Sequence, residues 1–323
     1  MKKGPSGLNL SKVFFIYWVV LQIAVIIINY NFEQFTIGLI ESILKHTAKD
    51  LKYQIIVVDN ASEKKSFEKL QNHMSQYREK GHIRLVSSDI NTGFGVGNNI
   101  GAKYAEAEYY AFINSDVLFE NDCLSAMKSF MDRRSDVGVA TPQMHSMEGN
   151  SKACFNHFIS PTYEILGRST LEWMNPKKYP KVRKKYNQPL KVDTVAGSFM
   201  FFRAVDFDAI GGFDPQIFLY YEETDICKRL LNHGQSAYLV PDSTYKHYHG
   251  GSTEKNLKIK MELVISKYYV LKKHYTMFGF YLFWVVDLVS SLVKLPFKPK
   301  KWPLFYLKLI QAPLHRSLRH ESS

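Results

Sequence analysis

Four apolar runs, each closing on a polar cluster and separated by segments of helical period, set the tightest limit on how this chain folds. They are IAVIIINYN (23–31), YQIIVVDNAS (53–62), IRLVSS (83–88) and YYAFINSD (109–116). Continuous β-branched runs suit strands covered on both faces, as in a parallel sheet. Between the first three lie FTIGLIESILKHT (35–47) and KKSFEKLQNHMSQYREKG (64–81), with apolar residues at helical spacing and Gly81 closing the second. A glycine-asparagine loop, NTGFGVGNNIG (91–101), and a helical stretch, NNIGAKYAEAE (98–108), lead to the fourth. This alternation predicts an α/β fold with a mostly parallel sheet and flanking helices. In open parallel sheets ligands sit beyond the carboxyl ends of the strands. The polar clusters at 29–31, 59–62, 91–99 and 114–116 all fall there, so four segments point at one crevice.

The second half is less regular. A Pro-, Lys- and Tyr-rich stretch at 150–190, including NPKKYPKVRKKYNQP, reads as a mobile basic loop or simply as a solvated surface. VDTVAGSFMFFR (192–203) is strand-like and a GGFDP turn follows. FLYYEETDICKRLLNHG (218–234) is acidic at its start and basic towards its end, the order the helix dipole favours.

The bulk numbers narrow the function classes. With 323 residues, 46% of them hydrophobic and 22% charged, the chain has enough apolar mass for a sizeable core and is not of disordered composition. A formal charge of +12 points to a polyanionic partner: nucleic acid, an anionic membrane face or a phosphate-bearing substrate. Cys123, Cys154 and Cys227 are odd in number and form no CxxC, which argues for a reducing compartment and against a disulfide framework. VFFIYWVVLQIAVIII (13–28) follows a lysine-bearing start, but no small-residue cleavage site follows it, so it reads as a strand and not as a signal peptide. YTMFGFYLFWVVDLVSSLV (275–293) is nearly long enough to span a bilayer but is interrupted by Asp287. Residues 294–323 carry seven Lys or Arg against one Glu. An apolar aromatic segment beside a cationic tail suits an interfacial anchor, and equally a helix packed on the core.

Two chemistries compete for the glycine loop. A dinucleotide fingerprint belongs to the first strand–helix turn, whereas here the loop follows the third strand, and the first strand ends in Asn-Tyr-Asn. The alternative is a sugar-nucleotide site, which needs a carboxylate where a diphosphate and a divalent cation meet. Asp116 supplies the oxygen that Mg²⁺ or Mn²⁺ prefers; a turn or helix cap is its plainer meaning. His247 and His249 could add a nitrogen ligand, or be ordinary satisfied histidines. Glu222, Glu223 and Asp225 offer a base for deprotonating an attacking hydroxyl, or plain acidic capping of a first helical turn.

With these segments in hand, the chain resembles glycosyltransferase family 2, in its rhamnosyltransferase-like branch. The motifs that carry the resemblance are IIINYN, VVDNAS, NTGFGVGNNIG, FINSD, VAGSFMFFR, IGGFDPQIFLYYEETDICKR and HYHGGST, in the family's order over 23–255. The resemblance implies a GT-A fold, a Rossmann-like nucleotide-diphospho-sugar transferase domain, with nucleotide-binding (23–120) and acceptor-binding (121–255) parts. An N-terminal extension (1–22) precedes it, and a helical, membrane-associating C-terminal region (256–323) follows. Asn29, Tyr30, Asp59, Asn91, Gly93, Asn98 and Asn114 match positions that line the nucleotide-sugar. The family's D-x-D is Asn114-Ser115-Asp116 here, so its first carboxylate is an amide and Asp116 remains the implied ligand of a divalent metal. The family's H-x-x-G-x-S fits His247, Gly250 and Ser252, which makes His247 the implied metal or diphosphate contact. Its usual Glu-Asp is Glu222-Glu223, which gives Glu223 the role of catalytic base, with Asp225 as the fallback.

The resemblance further implies an inverting transfer from a dTDP- or UDP-activated donor, such as dTDP-rhamnose. The acceptor would be a polyprenyl-diphosphate-linked glycan of bacterial surface polysaccharide, met at the cytoplasmic face of the inner membrane. The expected partners are this donor, this acceptor and an anionic membrane surface, not nucleic acid. A processive synthase would carry several spans and a Q-x-x-R-W motif, and neither is present in the sequence. A catalytically silent nucleotide-sugar-binding protein is the rival from another class.

Overall fold

The computed structural model describes residues 21–77, 83–248, 256–297 and 299–320. The four apolar runs form strands β1 (Leu21–Asn29), β2 (Tyr53–Asn60), β3 (Ile83–Ser88) and β4 (Ala107–Asn114). Helices α1 (Glu33–His46), α2 (Lys64–Ser75) and α3 (Gly93–Ala102) connect them. β1 pairs in parallel with β2 and β4, and β2 with β3. The next elements are β5 (Val117–Phe119), α4 (Cys123–Asp132), β6 (Val137–His145), β7 (Phe155–Asn156), α5 (Pro161–Leu166) and α6 (Arg168–Met174). There follow β8 (Leu190–Val192), β9 (Thr194–Val195), β10 (Phe199–Arg203), α7 (Ala204–Ala209), α8 (Glu222–Asn232) and β11 (Ser236–His247). The main sheet runs β3-β2-β1-β4-β10-β6-β11-β5, with β8 on β11. Because β10 is antiparallel to both β4 and β6, the sheet is parallel through its first four strands and mixed beyond them.

The register decides what meets at the carboxyl edge. Asn29 stands opposite Asp59, and Ile28 opposite Asn114. The antiparallel β10 starts at that same edge, where Asn114 N–H donates to the Ser198 carbonyl at 3.0 Å. β11 ends there too, with His247 opposite Val117.

Three local expectations need correcting. The glycine-asparagine segment is a helix from Gly93, not a loop ahead of one. Its glycines serve packing: a Cβ on Gly101 would lie 2.4 Å from Ile26 Cγ2, and one on Gly97 3.0 Å from Ile28 Cδ1. They let α3 settle onto β1 closer than any side chain would permit. The strand expected over 192–203 is broken into β8, β9 and β10, with Ala196–Ser198 turned into a cleft. The 150–190 stretch holds β7, α5 and α6, and its longest irregular run is 175–189.

Residues 256–320 form a helical unit of α9 (Leu257–His274), α10 (Met277–Lys294) and α11 (Trp302–Leu309). It has its own apolar cluster, including Ile265, Tyr268, Phe280, Phe283 and Leu307, apart from the core around the sheet.

Candidate active site

The carboxyl edge is built by asparagines. Asn29 is fully buried and fully bonded: its amide donates to Asp59 Oδ1 (2.8 Å) and Ser62 Oγ (3.0 Å), and its carbonyl accepts from Thr36 Oγ1 (2.8 Å). Asp59 Oδ2 accepts from Ser62 N–H at 3.1 Å. Asn29 and Asp59 therefore lock β1 to β2 and have little left with which to touch a ligand. Tyr30 is exposed beside them.

Asn60, which the sequence did not single out by itself, is the second hub. Its amide donates to Asn91 Oδ1 (3.0 Å) and the Gly93 carbonyl (3.1 Å), and its carbonyl accepts from Thr92 N–H and Oγ1–H. Gly93, at φ +78°, lies so close to Phe218 that a Cβ would fall 2.2 Å from the Phe218 carbonyl oxygen. Asn98 donates back to the Phe94 carbonyl within its own helix (3.1 Å). Asn99 clamps the GGFDP turn, donating to the Phe213 carbonyl (2.8 Å) and accepting from its N–H (3.0 Å). The polar side chains of this segment thus hold protein to protein, joining the first three strands to the segment that precedes α8.

That segment is strained. Tyr220 and Tyr221 both sit at positive φ, 72° and 68°. For bulky residues this is a true outlier, costing about 1–3 kcal/mol each and concentrated at functional sites. The Phe94 N–H donating to the Phe218 carbonyl (2.9 Å) and the Ser266 hydroxyl donating to the Leu219 carbonyl (2.8 Å) hold the segment in this shape. The twist delivers Glu222 and Glu223, the first residues of α8, into a cleft of about 360 Å³. Asn114, His247, Phe94, Gly197, Tyr220 and Arg168 also line it. Arg168, which no sequence pattern marked, is the one Lys or Arg among the described lining residues.

Next to the cleft-lining His247, Asp116 is 1% exposed, in the turn between β4 and β5. His247 Nε2 lies 3.1 Å from Asp116 Oδ1, and Asp116 Oδ2 is buried without a hydrogen-bond partner among the described residues. A buried carboxylate oxygen left unsatisfied is costly unless something pairs with it. Two cis ligands on an octahedral cation with bonds of 2.0–2.1 Å stand about 3 Å apart, which is the separation of this pair. Asp116 and His247 therefore fit as two ligands of a divalent cation. No group of three or more His, Cys, Asp or Glu side chains placed to hold a metal ion occurs among the described residues. His249, Gly250 and Ser252 lie outside them.

The same cleft is lined by two glutamates. Burial raises the Glu222 carboxyl well above the ordinary glutamate value, and the adjacent Glu223 charge raises it further; burial also raises Glu223. Glu222 Oε1 is buried without a partner among the described residues. Two adjacent desolvated carboxyls resist ionising together, so the pair favours one protonated and one charged member. Asp225 is in another setting. It is absent from the lining and fully buried behind the cleft. It accepts from Arg229 Nε (2.8 Å) and pairs with Lys273 Nζ (2.7 Å) and His274 Nε2 (2.7 Å). Despite desolvation, which alone would raise it, these partners hold its carboxyl down at about 2. The structure brings Glu223 to the cleft and leaves the fallback base outside it, spent on ion pairs.

The family model for glycosyl transferase family 2 matches residues 24–210. The chain belongs to glycosyltransferase family 2. It is a glycosyltransferase of rhamnosyltransferase-like type. It is 28% identical over 234 residues to rhamnosyltransferase WbbL of Escherichia coli K12, covering 70% of this chain and 83% of the relative. It is 24% identical over 254 residues to dTDP-rhamnosyl transferase RfbF of Shigella flexneri, covering 77% of each. Among solved structures, GalNAc-T7 with UDP, GalNAc and Mn²⁺ aligns at TM-score 0.56 and 15% identity, over 79% of this chain and 48% of that one. That likeness shows the fold alone, a GT-A architecture of parallel strands with a mixed sheet beyond them.

Proposed function

We propose that this glycosyltransferase moves a sugar from a nucleotide-diphosphate donor, dTDP-rhamnose or a UDP-sugar, by a single inverting displacement. The acceptor is a polyprenyl-diphosphate-linked glycan of bacterial surface polysaccharide at the cytoplasmic face of the inner membrane. The observation that carries the reading is one cleft lined by Asn114, His247, Glu222 and Glu223, with the buried Asp116 set against His247.

The acceptor hydroxyl attacks the anomeric carbon, the bond from that carbon to the diphosphate breaks, and Glu223 takes the hydroxyl proton. With Glu222 as the neutral member of the pair, the charge rests on Glu223, whose basicity burial raises. Asp116 and His247 would hold a Mg²⁺ or Mn²⁺ ion, which when bound neutralises charge on the departing nucleoside diphosphate. Asn114 lines the donor side of the cleft, and the exposed Tyr30 offers a ring to the nucleotide. Arg168 supplies paired donors for an anionic acceptor. Asn29, Asp59, Asn91, Gly93 and Asn98 act one step back, fixing the edge against which the donor rests.

A panel of nucleotide-sugars screened for hydrolysis with and without Mn²⁺ tests this. At least one donor is expected to turn over only with the metal, and Asp116→Asn should lower that turnover 100-fold or more. Tight binding of UDP or dTDP with no hydrolysis of any donor would instead make the protein a silent binder.

A further inference from the structure

Helix α10 presents two opposed faces. At 100° per residue, Phe280, Phe283 and Asp287 share one side, and all three are buried against the protein. Asp287, only 6% exposed, accepts from Tyr268 Oη (2.9 Å) and Lys308 Nζ (2.9 Å), which ties α10 to α9 and α11. The opposite side carries Phe278, Leu282, Val285, Val289, Leu292 and Val293, all exposed, Phe278 at 80%. These six lie within an arc of about 100°. Trp302, Tyr306 and Leu309 extend exposed apolar surface along α11, and Lys294, Lys300 and Lys301 are exposed at the junction between the two helices.

By length and composition α10 is the one described helix able to cross a membrane. Its packing argues otherwise. A spanning helix meets lipid or other apolar helices on every side, whereas α10 rests on α5, α9 and α11, whose Lys267, Lys272, Lys273 and Lys308 would have to enter the bilayer with it. A bare apolar stripe backed by protein, flanked by lysines and by Trp and Tyr, has the form of a helix lying in the plane of the interface.

We infer that α10 and α11 form a monotopic docking face that seats this enzyme on an anionic leaflet, with α10 parallel to the membrane and its Phe278–Val293 stripe among the acyl chains. The occupant is a lipid surface and not a second copy of the chain, because exposed lysines border the stripe and the chain carries +12 overall. The docking face also leads to the cleft: α10 packs on α5, α5 on α6, and Arg168 at the start of α6 lines the cleft. The inference rests on the lipid-linked acceptor proposed above, since docking would bring a membrane-held substrate within reach.

Flotation of the full chain with vesicles tests it. Binding to phosphatidylglycerol/phosphatidylcholine vesicles is expected, several-fold weaker on pure phosphatidylcholine, and released by alkaline carbonate. Val285→Asp/Val289→Asp should cut the bound fraction at least ten-fold while leaving the melting temperature and dTDP or UDP binding unchanged; if that pair misfolds, Val285→Ser/Val289→Ser carries the same test with a smaller expected loss. Carbonate-resistant binding would overturn the in-plane orientation. Wild-type-like binding by a folded variant, or a dimer lost in the variant with no vesicle binding by either protein, would overturn the docking face. Loss of nucleotide binding by the wild type would count against the transferase reading and leave the docking result standing.

Discussion

Glu222 and Glu223 carry the sharpest residue-level consequence. The folded chain holds Glu222 above the ordinary glutamate value of 4.5, chiefly by burial. Below 4.5 both folded and unfolded chains keep the proton and stability is complete. As the pH rises from there through the raised value, the unfolded chain releases its proton first, so stability falls. Glu222→Gln removes this titration, and its melting temperature should gain on the wild type from pH 4 to pH 8; a constant difference across that range would show that Glu222 is not held protonated. The acidity of this segment was legible in YYEETD, whereas Glu223 as the base came only from the family resemblance. The two left-handed tyrosines that turn the pair into the cleft were not, because nothing in Tyr-Tyr encodes positive φ; the neighbours Phe94 and Ser266 impose it. Asn29 and Asn91 were legible as strand-end polar residues. Their commitment to Asp59 and Asn60 depends on a register that only the paired strands reveal.

At the scale of elements, α8 is anchored from behind. Asp225 joins it to α9 through Lys273 and His274, and Arg229 closes the pair within the helix. Its carboxyl, 3.8 when free and about 2 here, contributes stability present above 3.8 and lost as the pH falls through 2. That shift corresponds to about 2–3 kcal/mol at neutral pH. Asp225→Asn should therefore lose about that much in urea unfolding at pH 7, and the deficit should shrink towards pH 2; an unchanged midpoint at pH 7 would mean that α8 does not depend on α9. Sequence order showed an acidic helix start but not this role, since Lys273 and His274 lie 48 and 49 residues downstream. The α3 helix was misread as a loop for a related reason. Four glycines in eleven residues oppose helix formation by propensity, and close packing on Ile26 and Ile28 overrides it.

Across the whole molecule, two halves of unlike topology meet at one edge: parallel strands bring Asn114 and Asp116, and the mixed sheet with α8 brings His247, Glu222 and Glu223. The parallel half was readable from strand ends alone, because continuous apolar runs with polar tips have few other solutions. The cleft was not, because it needs β10 to insert antiparallel between β4 and β6. The most direct test of this convergence is transfer by Glu223→Gln, assayed with whichever donor the metal-dependent screen identifies, alongside calorimetry of the released nucleotide. Transfer should fall at least 100-fold with nucleotide affinity within a factor of about three of wild type, as expected when only the proton acceptor is lost. Near-normal transfer by that variant would contradict the account, because the acid-rich helix would then take no part in the chemistry of the cleft.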